Sequence, residues 1–225
     1  MDTMQRQLRA LFFDFDGVIV DSLHTKTEAF RSLFKDYPDD VIEKVLAYHK
    51  QHGGISRVEK IALAHEQYIG VSLGDEELKK WSVRYSDLVV EKVINIAWIK
   101  GAVEFLKTTV DLGINIFIIS GTPEIELKYI IDRRGMAGYF DECLGSPVRK
   151  PVHIRKLLEQ YGLKESECVF IGDALTDYDA AEETGLHFVG IQGEVAFPKG
   201  TLVLDDCTNL QQALDHIFES RPLRS

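Results

Sequence analysis

Along most of this chain, short runs of uninterrupted apolar residues alternate with longer stretches whose apolar residues recur every three or four positions. The runs cover 8–13, 114–119, 168–171, 187–191 and 201–204. They are rich in Val, Ile and Phe and lack polar alternation, so they predict strands covered on both faces, as in a parallel sheet. The amphipathic stretches at 102–112, 123–134, 152–161, 178–184 and 210–218 predict helices. Gly113, Gly135, Gly162 and Gly185 follow four of them, where a helix ends most easily in a left-handed residue. Strand, helix and glycine in regular alternation predict an α/β fold, a doubly wound parallel sheet of βα units.

Residues 23–96 interrupt that rhythm. Helical patterns at 25–34, 41–49, 57–68 and 75–94 leave no room for a strand, and the last carries Leu78, Trp81, Tyr85, Leu88 and Val89 as one apolar stripe. Roughly 70 helical residues are too many for a simple connection. The expected organisation is therefore an α/β core of residues 1–22 and 97–225 with a helical subdomain, 23–96, inserted into it. Trp81 and Trp98 read as packing residues of the insertion and its hinge. His49 and His52 read as a solvated helix end, since no carboxylate or thiol nearby completes a metal set.

Charge sharpens the division. The chain of 225 residues holds 36 Asp and Glu against 26 Lys and Arg, a formal charge of −10. Residues 24–95 hold 12 acids and 11 bases, leaving 24 against 15 in the remainder. The excess acid belongs to the sheet domain. Such a balance argues against a nucleic-acid partner, which needs basic surface to displace counterions. No apolar run is long enough to span a membrane, and residues 1–7 lack the apolar centre of a secretory leader. Cys143, Cys168 and Cys207 form no CxxC pair and read as reduced thiols. A cytoplasmic protein is expected.

Ligands of open parallel sheets bind beyond the carboxyl ends of the strands. Here those ends read Asp14-Phe15-Asp16-Gly17, Ser120-Gly121-Thr122 and Gly172-Asp173, with Asp177 one turn on and Lys150-Pro151 ahead of a helix. Gathered carboxylates repel one another and resist burial unless a cation lies among them. An all-oxygen donor set suits a hard ion such as Mg²⁺. With Mg²⁺ and Lys150 present, a dianionic phosphate could approach, and Gly121 is expected to offer a backbone N–H at a helix N-terminus. Asp14 and Asp16 stand two apart on an extended segment and so face the same side. One could attack phosphorus while the other gives a proton to the leaving alcohol.

Four motifs in order across residues 8–190 carry a resemblance. They are Phe13-Asp14-Phe15-Asp16-Gly17-Val18-Ile19-Val20-Asp21-Ser22, then Ser120 after an apolar strand, then Lys150 before a proline, then Gly172-Asp173-Ala174-Leu175-Thr176-Asp177. In these the chain resembles the haloacid dehalogenase (HAD) superfamily of phosphohydrolases, in the subgroup with an inserted helical cap. The resemblance implies Asp14 as the nucleophile that becomes an aspartyl-phosphate. It implies Asp16 as general acid, then base. Mg²⁺ would be held by Asp14, the backbone carbonyl of Asp16 and Asp173, with Asp177 alongside. Ser120 and Lys150 would grip the phosphoryl oxygens, with Gly17 and Gly121 as further substrate contacts. In the cap, Gly54-Ile55-Ser56-Arg57 is similar to the Gly-Val-Ser-Arg of β-phosphoglucomutases, which makes Arg57 a candidate for a second anionic group.

Plainer readings stand beside these. An EF-hand calcium loop would need a further oxygen ligand at Val18, which is apolar. Asp173 and Asp177 also suit helix capping, Ser120 suits a turn, Arg57 could pair with Glu59 or Glu66, and Arg149 could take the part of Lys150. Where the mutases carry a histidine, five residues after Asp21, this chain has Lys26, which weakens the mutase reading. The expected activity is Mg²⁺-dependent hydrolysis of a small phosphorylated metabolite. The alternatives are a phosphomutase or a non-catalytic phosphate- or Mg²⁺-binding regulatory module.

Overall fold

The structure is a computed structural model and describes residues 8–219; residues 1–7, read above for a leader, lie outside them. Six parallel strands form one sheet: β1 (Ala10–Phe13), β2 (Asn115–Pro123), β3 (Glu142–Ser146), β4 (Cys168–Gly172), β5 (His187–Ile191) and β6 (Val203–Leu204). Their order across the sheet is β3-β2-β1-β4-β5-β6. The chain thus builds outward one way from β1, then crosses back to build the other way from β4. Beyond the carboxyl ends of these two central strands lies the switch point where such sheets bind ligands.

Each strand sends alternate side chains to opposite faces. Leu11, Phe13, Ile116, Ile118, Val169 and Ile171 belong to one apolar cluster. It is covered by α5 (Ala102–Thr109), α6 (Glu124–Arg133) and α9 (Leu210–Glu219). Phe12, Phe117, Ile119 and Phe170 enter the other cluster, under α7 (Lys150–Tyr161) and α8 (Leu175–Thr184). In register, Phe12 lies between Phe117 and Phe170. Burial of each such ring stabilises the fold by about 1.5–3 kcal/mol.

Several expectations shift. Strand β3 was not among the expected runs, because only Cys143 and Leu144 are apolar within Glu142–Ser146. Helix α7 starts at Lys150, two residues early, because Pro151 fits the first turn of a helix, where its missing N–H is not needed. Helix α8 likewise starts at Leu175, three residues early.

Between β1 and α5 lie α1 (Leu23–Leu33), α2 (Asp39–Gln51), α3 (Arg57–Leu63) and α4 (Asp75–Asn95). A π-helical turn, Ala64–Ile69, ends the helix expected to run to 68. The entering and leaving strands of this insertion lie side by side: Asp21 N–H donates to the Ala97 carbonyl, and Ile99 N–H to that of Ile19, each at 3.0 Å. The Arg134 guanidinium lies over the Trp98 ring and donates to the carbonyls of Val93, Ile94 and Ile96 at 2.7–2.9 Å. It thereby satisfies acceptors that the end of α4 leaves open. The apolar cluster that includes Phe13 and Ile171 continues without a break into Phe30, Tyr85 and Val93 of the insertion.

Candidate active site

Asp14 follows β1 directly, and its N–H donates to the Ile171 carbonyl at 2.9 Å. That bond fixes the backbone at the centre of the sheet. The carboxylate is buried, and its Oδ1 accepts from Phe15 N–H at 2.7 Å and faces Lys150 Nζ at 3.1 Å. Among the described residues, Oδ2 has no hydrogen-bond partner. Lys150 also donates to Asp177 Oδ1, whose Oδ2 accepts from the Ala174 N–H at 3.1 Å. Asp177 is therefore both a cap of α8 and the second anion beside Lys150. Arg149 points outward to Glu183 and takes no part.

Carboxylate oxygens of Asp14, Asp173 and Asp177 all lie within 4.8 Å of one another. Close backbone makes this crowding possible. Gly17 has φ +77°, and a Cβ there would stand 2.6 Å from Asp173 Oδ2; one at Gly172 would stand 2.3 Å from Asp177 Cβ. Burial raises the Asp14 carboxyl to about 7; the charge of Lys150 works against burial, and those of Asp177 and Asp16 add to it. Burial and the charges of Asp14 and Asp177 push Asp173 well above the usual carboxylate range. Burial works against the charge on Lys150, but Asp14 and Asp177 outweigh it and raise its pKa. Three buried carboxylates gathered this closely, two of them with raised pKa, form an oxygen donor set that a hard divalent cation fits.

Asp16 is held differently. Its carboxylate accepts from Ser22 Oγ at 2.5 Å, from Thr122 Oγ1 at 3.1 Å and from Lys26 Nζ, which also donates to Thr122 at 2.8 Å. Burial alone would raise its pKa; the charge of Lys26 and these hydrogen bonds overcome burial and lower it. Lys26 thus stands where the mutases have histidine and serves as the counter-ion of Asp16.

Ser120 and Gly121 lie in a stretch of β2 where its register with β3 shifts, and Ser120 Oγ accepts from Thr122 N–H at 3.1 Å. Gly121 is a strand residue, and α6 begins only at Glu124. Its expected place at a helix N-terminus is therefore corrected. Its lack of a side chain serves a different purpose, since a Cβ there would stand 2.5 Å from the carbonyl oxygen of Gly54. The loop carrying Gly53 and Gly54 sits directly on the strand ends, and Thr176 Oγ1 donates to the Gly53 carbonyl at 2.8 Å.

Asp14, Asp16, Gly121, Thr122 and Asp173 line one cavity with Lys26, His49, Arg57, Lys60 and Tyr85 of the insertion. Arg57 reaches neither Glu59 nor Glu66. Its guanidinium forks onto both oxygens of Glu126 on α6, donates to Ser86 and lies 4.6 Å over the Tyr85 ring. His49 is not at a solvated helix end: its ring packs 4.5 Å from that of Phe30 and faces Lys60. His52 stacks on Tyr48 at 4.0 Å. Lys60, His49, Thr122 and Glu126 carry no motif signal. Only the position of Lys26, five residues after Asp21, pointed to its place.

The arrangement is that of a hydrolytic centre at a sheet switch point, and the comparisons agree. The family model for haloacid dehalogenase-like hydrolases matches residues 8–185, so the chain belongs to that family. Among curated relatives, the phosphoglycolate phosphatase of Pasteurella multocida is 26% identical over 82% of this chain and 86% of its own. Phosphoglycolate phosphatase 1 of Pseudomonas aeruginosa is 24% identical over 94% and 81%. Of solved structures, β-phosphoglucomutase from Clostridium difficile superposes with a TM-score of 0.78 at 21% identity, covering 94% of this chain and 97% of that one. CbbY from Rhodobacter sphaeroides, in complex with phosphate, gives 0.68 at 19%, covering 90% and 96%. These structural likenesses speak for the fold.

Proposed function

We propose that this phosphatase of the HAD-like family hydrolyses small phosphomonoesters with Mg²⁺ through an aspartyl-phosphate on Asp14. Residues 23–96 serve as a cap over a core of 1–22 and 97–225. The observation that carries this is the meeting of Asp14, Asp173 and Asp177 around Lys150 at the centre of the sheet. Asp14, Asp173, the backbone carbonyl of Asp16 and, beside them, Asp177 would hold Mg²⁺, which supplies positive charge to balance the phosphoryl oxygens. Phosphatase relatives, the absence among the described residues of any helix long and apolar enough to cross a membrane, and three free thiols fit a metabolite enzyme of the cytoplasm.

Phe15 N–H and Lys150 both engage Oδ1 of Asp14, so Oδ2 is the oxygen free to attack phosphorus. The new bond is Asp14 O–P, and the bond from phosphorus to the alcohol oxygen breaks. Asp16 gives its proton to that oxygen, then takes one from the water that attacks the phospho-aspartate and releases phosphate. Lys26 keeps Asp16 ionised at rest, as the second step requires. The dianionic phosphoryl group, arriving as a like charge, raises its pKa for the first. Ser120, Gly17 and Gly121 are assigned to the phosphoryl group, as is Lys150 once it shares its charge.

Purified protein should release p-nitrophenol from p-nitrophenyl phosphate with Mg²⁺ and stop when the ion is chelated. Asp14→Asn should lower turnover by about 10³-fold or more. Turnover retained by that variant would remove Asp14 from the role of nucleophile.

A further inference from the structure

Four cations line or border the cavity from the insertion, and three have carboxylate partners. Lys26 has Asp16, Arg57 has Glu126, and Lys50 has Glu194 at 4.0 Å. Lys60 does not. It is 5% exposed, and among the described residues no carboxylate oxygen lies within 4.0 Å of its ammonium. Its two partners both belong to His49: the ring Nδ1 at 3.0 Å and the backbone carbonyl at 3.3 Å.

An ammonium has three N–H donors, so these two acceptors leave one. His49 adds no charge of its own, because burial and then the charge of Lys60 push it down to about 2. Neutral, with Nδ1 accepting from Lys60, it carries its proton on Nε2. Lys60 is thus a buried cation, held from one side by a neutral residue, with its remaining donor unmatched in a cavity whose floor is the acid cluster. Leaving an ammonium in that condition is unfavourable, and a bound anion would relieve it. One uncommitted positive charge matches one negative charge. A second phosphoryl group, carrying close to two, would be left half neutralised.

We propose that Lys60, positioned by His49, binds a carboxylate at the far end of the substrate, so that the enzyme selects phosphomonoesters of short carboxylic acids. This rests on the phosphatase reading, which supplies the site for the phosphoryl end. Lys60 is the group that touches the ligand; His49 is a positioning residue. The preference also follows pH. Lys60 faces Lys26 from α1, His49 and Lys50 from α2, Glu194 after β5, and Asp16 and Asp173 from the floor. Burial, then the charge of Lys26, lowers its pKa to about 7. The carboxylate preference is therefore strongest below that pH and weakens as the amine loses its proton above it.

The test compares 2-phosphoglycolate with ethyl phosphate, which has the same length and no carboxylate, using the full chain with Mg²⁺. A charge-assisted contact of this kind is worth about 10- to 100-fold in kcat/KM, expressed mainly in KM. The wild type should show that preference, Lys60→Met should bring the ratio close to unity, and Lys60→Arg should restore part of it. Equal use of the two esters by the wild type, or an undiminished ratio in Lys60→Met, would overturn the proposal. If no ester is hydrolysed, the phosphatase reading fails separately. Calorimetric binding of the same two esters to wild type and Lys60→Met then decides the subsite by the same ratio. Thermal melts of the variants serve as the folding control. Removing a buried cation that lacks a counter-ion should raise Tm below pH 7, and the gain should shrink between pH 7 and the ordinary lysine range.

Discussion

The carboxylates at the strand ends and the cations of the insertion face one another across one cavity, but they are held in different ways. On the floor, position comes from backbone. Asp14 is tied to β4 by its N–H, and Gly17 and Gly172 bring chain and carboxylate closer than any Cβ would permit. On the roof, position comes from side chains that borrow partners. Arg57 reaches to Glu126 of the core, Lys26 to Asp16 and Thr122, and Lys60 to His49. A floor fixed by backbone suits reacting atoms that tolerate little displacement. A roof of exchangeable side-chain pairs suits recognition, where one substitution changes the preferred ligand and leaves the chemistry in place.

That contrast predicts unequal damage. The largest should come from Lys150→Met, which keeps much of the volume and removes the one cation that, among the described residues, is bonded to both Asp14 and Asp177. Breaking a buried ion pair from one side costs about 3–5 kcal/mol, and urea titration at neutral pH should find a loss of that order, along with loss of turnover. The loss should be smaller at low pH, where the carboxylates take up protons. A loss below 1 kcal/mol at pH 7 would mean that Lys150 is not what balances the charge of the floor.

Gly17→Ala should come next, because the new methyl meets Asp173 and the backbone at φ +77° disfavours any side chain. Strain of this kind costs about 1–3 kcal/mol. Displacing Asp173 should also weaken the apparent affinity for Mg²⁺ in activity titrations. Unchanged Mg²⁺ dependence would separate Asp173 from the metal.

The same contrast explains what the sequence could and could not convey. Asp14, Asp16 and Asp173 were legible because an apolar run ending in an acid places that acid at the rim of a parallel sheet, whatever else the chain does. The sheet itself was legible in five of its six strands; Glu142–Ser146 at the edge buries too little to form an apolar run. The roof was nearly silent. The helical period tells which face of α3 is apolar, but not that Arg57 crosses to α6 or that Lys60 turns toward His49. Those pairings join residues 69 and 11 positions apart, and only the packing of α3 against its neighbours brings them together.

Glu126→Gln should have the smallest effect and bears most directly on the roof. Glu126 accepts both arms of the Arg57 fork and the Ser86 hydroxyl, joining α3 and α4 of the insertion to α6 of the core. Glutamine keeps the shape and one good acceptor but removes the charge. Arg57 retains Ser86 and the face of Tyr85. The expected destabilisation is about 1 kcal/mol, because a charge-assisted contact is replaced by a neutral one and not left empty. If this pair helps to seat the roof on the floor, weakening it should raise KM several-fold on p-nitrophenyl phosphate and alter kcat less. The carboxylates proposed to react stand at the ends of β1 and β4, not on α6. A fall in kcat as deep as that of Lys150→Met, with KM unchanged, would show that the roof takes part in the chemistry, and the division between backbone-held floor and side-chain-held roof would fail.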